Sequence, residues 1–412
     1  MSAPALPADP VDALIVGGGI FGCSIAWHCA RCGMGRVVLL ERDTLAFAAT
    51  SRAAALLTRA RANPALMRLI AQTYADLPEL EAEVGESLDP RRVGSLHVAG
   101  SEVRGRELRE LAALAEAAGV SVEWLAADEA ARRAPWLNPE AIFAAAFMPE
   151  DAFVDPYRLA MAYARAARSR GVTFHQGMAV QTLQRQGERV TGAVTAQGAI
   201  SAGCVVDAAG AWANVLAMSL GIGLPMAPVR SQYWITVPDP LFPPEHPIVI
   251  LPDASAYSRP ELGGLLFGLR EARSASYDAR QLPHDLSDFP LGEDGGWPSL
   301  IEGAPALRRF LPALDRLEIV HHIAGLSTYT PDGLPALGAV PNVRGFLAAT
   351  GCSGAGIALA GGVGASVAAL AVGRASPFDL TPFRFDRFGV IDPFGQAFRR
   401  RCEMARSSKI SG

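Results

Sequence analysis

Residues 11–42 read VDALIVGGGIFGCSIAWHCARCGMGRVVLLER, and this stretch narrows the possible folds more than any other part of the chain. The apolar run Ala13 to Val16 predicts a buried strand that ends in Gly17, Gly19 and Gly22, with Ile20 and Phe21 inside the turn. That G-x-G-x-x-G spacing permits a tight reversal, a close backbone approach to a pyrophosphate, and close packing of helix on strand. The proline-free segment Phe21 to Cys32 predicts a helix with Gly33 as its left-handed C-cap, so its free amides and dipole face a diphosphate. A second apolar strand, Val37 to Leu40, finishes on Glu41 and Arg42. The Glu41 carboxylate falls about 20 residues beyond the glycines, where a ribose hydroxyl is accepted. The unit predicts an adenine dinucleotide with a free 2′-hydroxyl, and leaves FAD and NAD both open.

The chain has 412 residues, length enough for two or three domains and a sizeable core. Half its residues are hydrophobic and its mean hydropathy is +0.20, which suits a well-packed α/β enzyme. With 37 basic and 41 acidic residues and a net charge of −4, there is no basic surface for nucleic acid, so a small-molecule substrate is expected. Lys409 is the only lysine and is read as part of a polar tail, which excludes a catalytic lysine from the body of the chain. The six cysteines show no secreted pattern and the N-terminus lacks the charged region of a signal peptide, so a cytoplasmic location is expected. Cys23, Cys29 and Cys32 are assigned to helix packing, and no metal site is expected. Residues 345–373 carry no charged side chain between their end glycines, but those and other glycines divide the run into strand, loop and helix, so no transmembrane segment is expected. An oligomer is compatible with this composition.

Along the chain, Thr50 or Ser51 is read as the cap of a helix running toward Gly85, which would bring Ser51 and Arg52 near the phosphates and leaves Arg59 as a substrate candidate. His97, in a short strand Ser95 to Ala99, is read as structural. Asp155-Pro156 predicts a helix start, and Val180 lies in the second of three strands that follow, Ala179 to Leu183. Cys204 to Asp207 then runs into a second strand, glycine and helix junction at Gly210 and Trp212. From Pro228 to Ile319, alternation and prolines predict an antiparallel sheet. Near the end, Gly351, Ser353, Gly354, Ala355, Gly356 and Ile357 form a glycine loop opening a helix, whose amides would stabilise negative charge on a reduced flavin ring.

Three separated signatures, GGGIFG, VDAAGAWA, and TPDGLPALG with ATGCSGAGIALA, together resemble the FAD-dependent D-amino-acid oxidase superfamily over nearly the whole chain to about Phe388. DPYRLAMAYARAARSRGV and AYSRPELGGLLFG look most like its dimethylglycine and sarcosine dehydrogenase and sarcosine oxidase β-subunit branch. The resemblance implies an α/β fold, α+β overall: an FAD-binding Rossmann-like domain with an interleaved antiparallel-sheet substrate domain. Residues 1–52, 150–228 and 320–390 are assigned to the first, 53–149 and 229–319 to the second, and 391–412 to a polar C-terminal tail. It implies FAD, hydride transfer to flavin N5 from a carbon beside an amine nitrogen, and hydrolysis of the imine.

Departures from the family refine the expectation. The position of a flavin-linked cysteine is Ser327, so non-covalent FAD is expected at that point, with histidyl attachment left open. A lysine on the flavin face is replaced by Leu266, a carboxylate-binding lysine by Ala358, and a carboxylate-binding arginine by Thr58, with Arg59 and Arg61 adjacent. An ordinary amino-acid carboxylate then lacks its usual anchor, and without a lysine a dehydrogenase is favoured over an oxidase. Tyr257, Arg259, Tyr329 and His322 are the candidate catalytic residues. The expected function is oxidation of the C–N bond of a small secondary or tertiary amine or N-methyl amino acid, with the electron acceptor unassigned. The alternatives are a D-amino-acid or glycine-type oxidase using oxygen, and a non-catalytic FAD-binding partner protein.

Overall fold

The computed structural model describes residues 6–409 apart from 287, 288, 290 and 292. The apolar runs Val11–Val16 and Val37–Leu40 pair in parallel and are almost wholly buried, as strands covered on both faces must be. Gly198–Asp207 joins on the other side, then Phe346–Thr350, both parallel, with Thr173–His175 beyond Val37–Leu40 and an antiparallel edge strand at Ala336–Ala339. Side chains alternate across the sheet with a period of two. Ala13 and Ile15 therefore pack under the helices Ile20–Arg31, Pro156–Ser169 and Gly356–Ala371, while Leu14 and Val16 face the layer containing Leu183, Val190 and Leu216.

The glycines of the uncharged stretch are explained by close helix packing. A Cβ on Gly362 would lie 2.4 Å from Leu69 Cα, and one on Gly364 would lie 2.2 Å from Ser24 Oγ. Thr73 Oγ1 and Ser24 Oγ donate to the carbonyls of Ala358 and Ala360 across these contacts. No described helix is long and apolar enough to cross a membrane.

A second sheet has eight strands among the described residues, in the order Ile319–Tyr329, Ala227–Thr236, Gly264–Leu269, Ala256–Glu261, Ile248–Leu251, Ser95–Ala99, Ala144–Met148 and Glu123–Leu125. It is antiparallel except where Ile248–Leu251 meets Ser95–Ala99. His97 is buried here and lies 3.1 Å from Ser95 Oγ; burial, with Arg61 adding to it, lowers its pKa to about 3.

Four expectations need correction. The helix read from Thr50 or Ser51 begins only at Pro64, where Asn63 accepts from Ala65 N, and residues 44–52 form turns. That helix, Pro64–Val84, packs on Gly356–Ala371 in the first core, so residues 53–149 do not form one substrate layer. Residues 320–329, assigned to the dinucleotide-binding unit, pair along Ala227–Thr236 in the second sheet. Finally, 391–409 do not form a polar tail, the last three residues of that assignment lying outside the described ones: Gln396–Ser407 is a helix that buries Phe398, Cys402 and Arg406 against the second sheet.

Candidate active site

The first glycine turn is built by close contacts that only glycine permits. Gly17 has φ +104° and its Cβ would lie 2.4 Å from the Ala208 carbonyl oxygen, while a Cβ on Gly22 would lie 1.8 Å from the Gly17 carbonyl oxygen. Gly22 thus sets helix on strand and does not line the cavity above it. Glu41 lies at the other wall, where Oε2 accepts from Gly18 N at 2.6 Å and Oε1 from Asp43 N at 2.9 Å. Arg42 stacks over Trp212 with its guanidinium carbon 3.5 Å from the ring centroid.

A long cavity runs from these residues over Gly17, Gly19, Ile20 and Phe21, past Val180, Gly210 and Trp212, to Thr328, Cys352 and Gly356. Helix Ile20–Arg31 presents its N-terminus to it. Its first amide, Ile20 N, donates to Thr50 Oγ1 at 3.0 Å, so Thr50 sits at the place expected for Ser51. Ser51 is exposed and donates to the Phe47 carbonyl instead, because the segment is a turn and not a helix. Gly351 and Ser353 also stand behind the wall: both have positive φ, and the Gly351 and Ser353 amides are held by Thr328 Oγ1 and the Thr328 carbonyl.

A second cavity adjoins the first and shares Ile20, Ala49, Thr50, Leu326, Ser327, Cys352 and Gly356 with it. Arg52, Gly354, Ala355 and Ile357 line this one, as do Tyr257 and Tyr329. Gly268 makes room for Tyr257, since a Cβ there would lie 2.2 Å from the ring. Burial raises both phenols, against the lowering field of Arg270 and Arg406, so both hydroxyls keep their protons.

Two expected catalytic residues are absent from this lining. Arg259 is turned into the protein, where Nε donates to the Ala54 carbonyl at 2.8 Å and Nη1 engages Glu261 and the Pro260 carbonyl. His322 lies on the opposite face of its strand from Gly325, Ser327 and Tyr329; it stacks on Trp234 and sits 3.0 Å from Gln232 Oε1. Arg59 likewise pairs with Glu150 and Asp151 outside the cavity.

In their place the cavity holds basic side chains that the sequence reading did not put there. Arg61 is buried, and Nη1 donates to Thr58 Oγ1 at 2.9 Å and to the Ala60 carbonyl at 2.8 Å, leaving Nε with no hydrogen-bond partner. Arg270, also buried, stands two residues beyond Gly268 on the face that carries Leu266. Arg406 is pinned by Glu271 at 2.5 Å and Ser274 Oγ at 3.0 Å. Lys409 Nζ enters from the C-terminal helix and donates to the Ser353 carbonyl at 3.1 Å. No acidic side chain lines this cavity among the described residues. The expectation that no lysine reaches the site is therefore overturned.

A family model described as FAD dependent oxidoreductase matches residues 12–370. The chain is 31% identical to the mitochondrial dimethylglycine dehydrogenase of Rattus norvegicus over 398 residues, covering 94% of this chain and 46% of that protein. It thus spans just under half the length of that relative. It is 30% identical to glycine oxidase of Geobacillus kaustophilus (strain HTA426) over 386 residues, covering 91% of this chain and 97% of that one. In structure it is similar to L-proline dehydrogenase from P. horikoshii, with a TM-score of 0.82 at 24% identity over 93% of this chain and 98% of the other.

Proposed function

The chain belongs to the DAO family of FAD-dependent oxidoreductases, and from that premise we propose that it oxidises the C–N bond of a small amino acid or N-alkyl amino acid bearing a carboxylate. The observation that carries this reading is the buried Arg61 and Arg270 in a cavity without acidic lining, directly continuous with the glycine-turn cavity. A guanidinium is a fixed positive charge with a planar fork of donors that matches a carboxylate.

The first cavity suits FAD by its construction. Gly17 and Gly19 leave the backbone bare where a diphosphate approaches, and Glu41 stands at the end of the second strand for an adenosine ribose. Gly356 opens a helix at the other end, beside Cys352. Bound there, FAD supplies the electron sink for the substrate's C–H pair. The protein's part is orientation and exclusion of water: Arg61 and Arg270 hold the carboxylate, while Tyr257 and Tyr329, both protonated, donate to substrate oxygen. The imine product hydrolyses after release.

The glycine-oxidase relative, covered almost end to end, supports an amino-acid substrate; the dimethylglycine dehydrogenase supports an N-methyl one. Purified protein carrying FAD, mixed anaerobically with glycine, proline, sarcosine and N,N-dimethylglycine, tests the reading: at least one should bleach the flavin absorbance, and bleaching by none would defeat it.

A further inference from the structure

The C-terminal helix Gln396–Ser407 is strapped to the second sheet by polar contacts that do not serve the helix itself. Glu403 Oε1 accepts from Ser276 N at 3.0 Å and from its hydroxyl at 2.5 Å. Ser407 Oγ lies 3.0 Å from Ser274 Oγ, and Arg406 meets Glu271. These ties aim the last turn at the second cavity. Lys409, two residues past the helix, extends its Nζ to the Ser353 carbonyl on the glycine loop, beside Gly354 and the Tyr329 hydroxyl.

We propose that Lys409 is the general base that takes the proton from the substrate's amine nitrogen before its carbon is oxidised. This rests on the amine-oxidising reading above. An amino acid arrives with its nitrogen protonated, and a C–H bond beside that nitrogen is oxidised only when the nitrogen lone pair is free to form the C=N bond. The transfer breaks one N–H bond of the substrate ammonium and forms one Nζ–H bond. The electron pair of the broken bond stays on the substrate nitrogen, and Lys409 returns the proton to water after product leaves.

Among the described lining residues, the arginines and tyrosines are unsuited to this. Arg52, Arg61, Arg270 and Arg406 hold their protons throughout the working pH range. Tyr233, Tyr257 and Tyr329 are raised above the ordinary phenol by burial, so they are not bases either. Cys352 stands within 3.4 Å of Ser327 Oγ and 3.8 Å of Thr328 Oγ1. Among the described residues, Lys409 Nζ is tied to the Ser353 carbonyl and to no carboxylate. Burial, then the charges of Arg270, Arg61 and Arg406, hold its ammonium well below the usual lysine range, which favours the form that can accept a proton. The same arginines that draw in the carboxylate also favour loss of the substrate's ammonium proton.

Because Lys409 is the chain's only lysine, its proton affinity is directly measurable. Trace acetylation with acetic anhydride across pH, followed by peptide mass analysis, should show Lys409 reacting with a midpoint well below ~10.4, the ordinary lysine value. A midpoint in the ordinary range overturns the proposal. In a second arm, flavin reduction by the amino acid that bleaches the wild type is followed in Lys409→Met and Lys409→Arg, each checked for an unchanged bound-flavin spectrum. Both should reduce ~100-fold more slowly near neutral pH, with the rate climbing about tenfold per pH unit toward the amine's own pKa. Lys409→Arg keeps a long hydrogen-bond-donating side chain but cannot accept a proton, so a wild-type pH profile in it overturns the proposal. If no amino acid bleaches the wild type, the amine-oxidising reading fails and takes this one with it. Bleaching that is indifferent to Lys409 removes only the base.

Discussion

Arg61 Nη1 donates to Thr58 Oγ1 at 2.9 Å, so the guanidinium folds back over the position where the family's carboxylate-binding arginine is replaced by threonine. The cation is restored from three residues downstream. Arg61→Met should weaken binding of a carboxylate substrate by roughly 30-fold, about the 2 kcal/mol of a charge-assisted hydrogen bond. The limiting rate of flavin reduction should change much less, and a rapid-mixing series in substrate concentration separates the two.

Gly268 and Tyr257 are linked in the same way. Gly268→Ala places a methyl within the Tyr257 ring, which must leave the cavity. The variant should keep its FAD and lose roughly 10- to 100-fold in kcat/KM, the usual cost of a misplaced contact. Unchanged kinetics would show that Tyr257 does not touch substrate.

Glu41 accepts two backbone amides and lines the first cavity. Glu41→Gln should weaken FAD by roughly 10- to 100-fold in a fluorescence titration of apoprotein. Acid precipitation should release the flavin from the wild type, since Ser327 has no thiol. The test is sharp because Cys352 Sγ lies 3.4 Å from Ser327 Oγ: colour left in the pellet would show covalent attachment, and mass analysis of the flavin peptide would tell this neighbour from a histidine.

Asp207 ends the strand Gly198–Asp207 fully buried, with Oδ1 accepting from Ala209 N at 3.0 Å and Oδ2 without a partner. Burial raises its pKa from 3.8 to about 7, only partly offset by the Ala209 amide. The folded state therefore holds a proton that the unfolded chain has lost between these values, and stability falls as pH rises from about 4 to about 7. The loss is up to roughly 4 kcal/mol. Asp207→Asn has no such proton, so the stability gap between wild type and variant apoprotein should shrink by that amount between pH 4 and pH 8 in urea melts. A gap independent of pH would contradict this.

The parts legible in the sequence were those encoded within a few residues. Gly17 and Glu41 follow from turn and strand spacing, and Asp155 accepts from Arg158 N as its Asp-Pro signature predicts. The Gly33 left-handed cap, φ +77°, is equally local. The cations of the second cavity are not local. Arg270 lies just past the end of a strand, and Lys409 reaches the site only because a helix some 350 residues after the glycine turn's partner Thr50 docks on the second sheet. Strand parity separates His322 from Ser327 and Tyr329, which the pairing of His322 with Trp234 makes visible. Parity does not remove Arg259, which shares a face with Tyr257; Glu261, two residues on along that face, captures it.

The claim that Arg61 and Arg270 make this a carboxylate-recognising oxidase or dehydrogenase is tested most directly by paired substrates. The holoenzyme is mixed anaerobically with each amino acid that bleaches its flavin and with the matching amine that lacks the carboxylate: proline against pyrrolidine, sarcosine against dimethylamine. The account predicts rapid bleaching by the acid of a pair and reduction at least ~100-fold slower by its amine, as expected when a charge-assisted anchor is lost from a buried site. Equal bleaching by both members would contradict it.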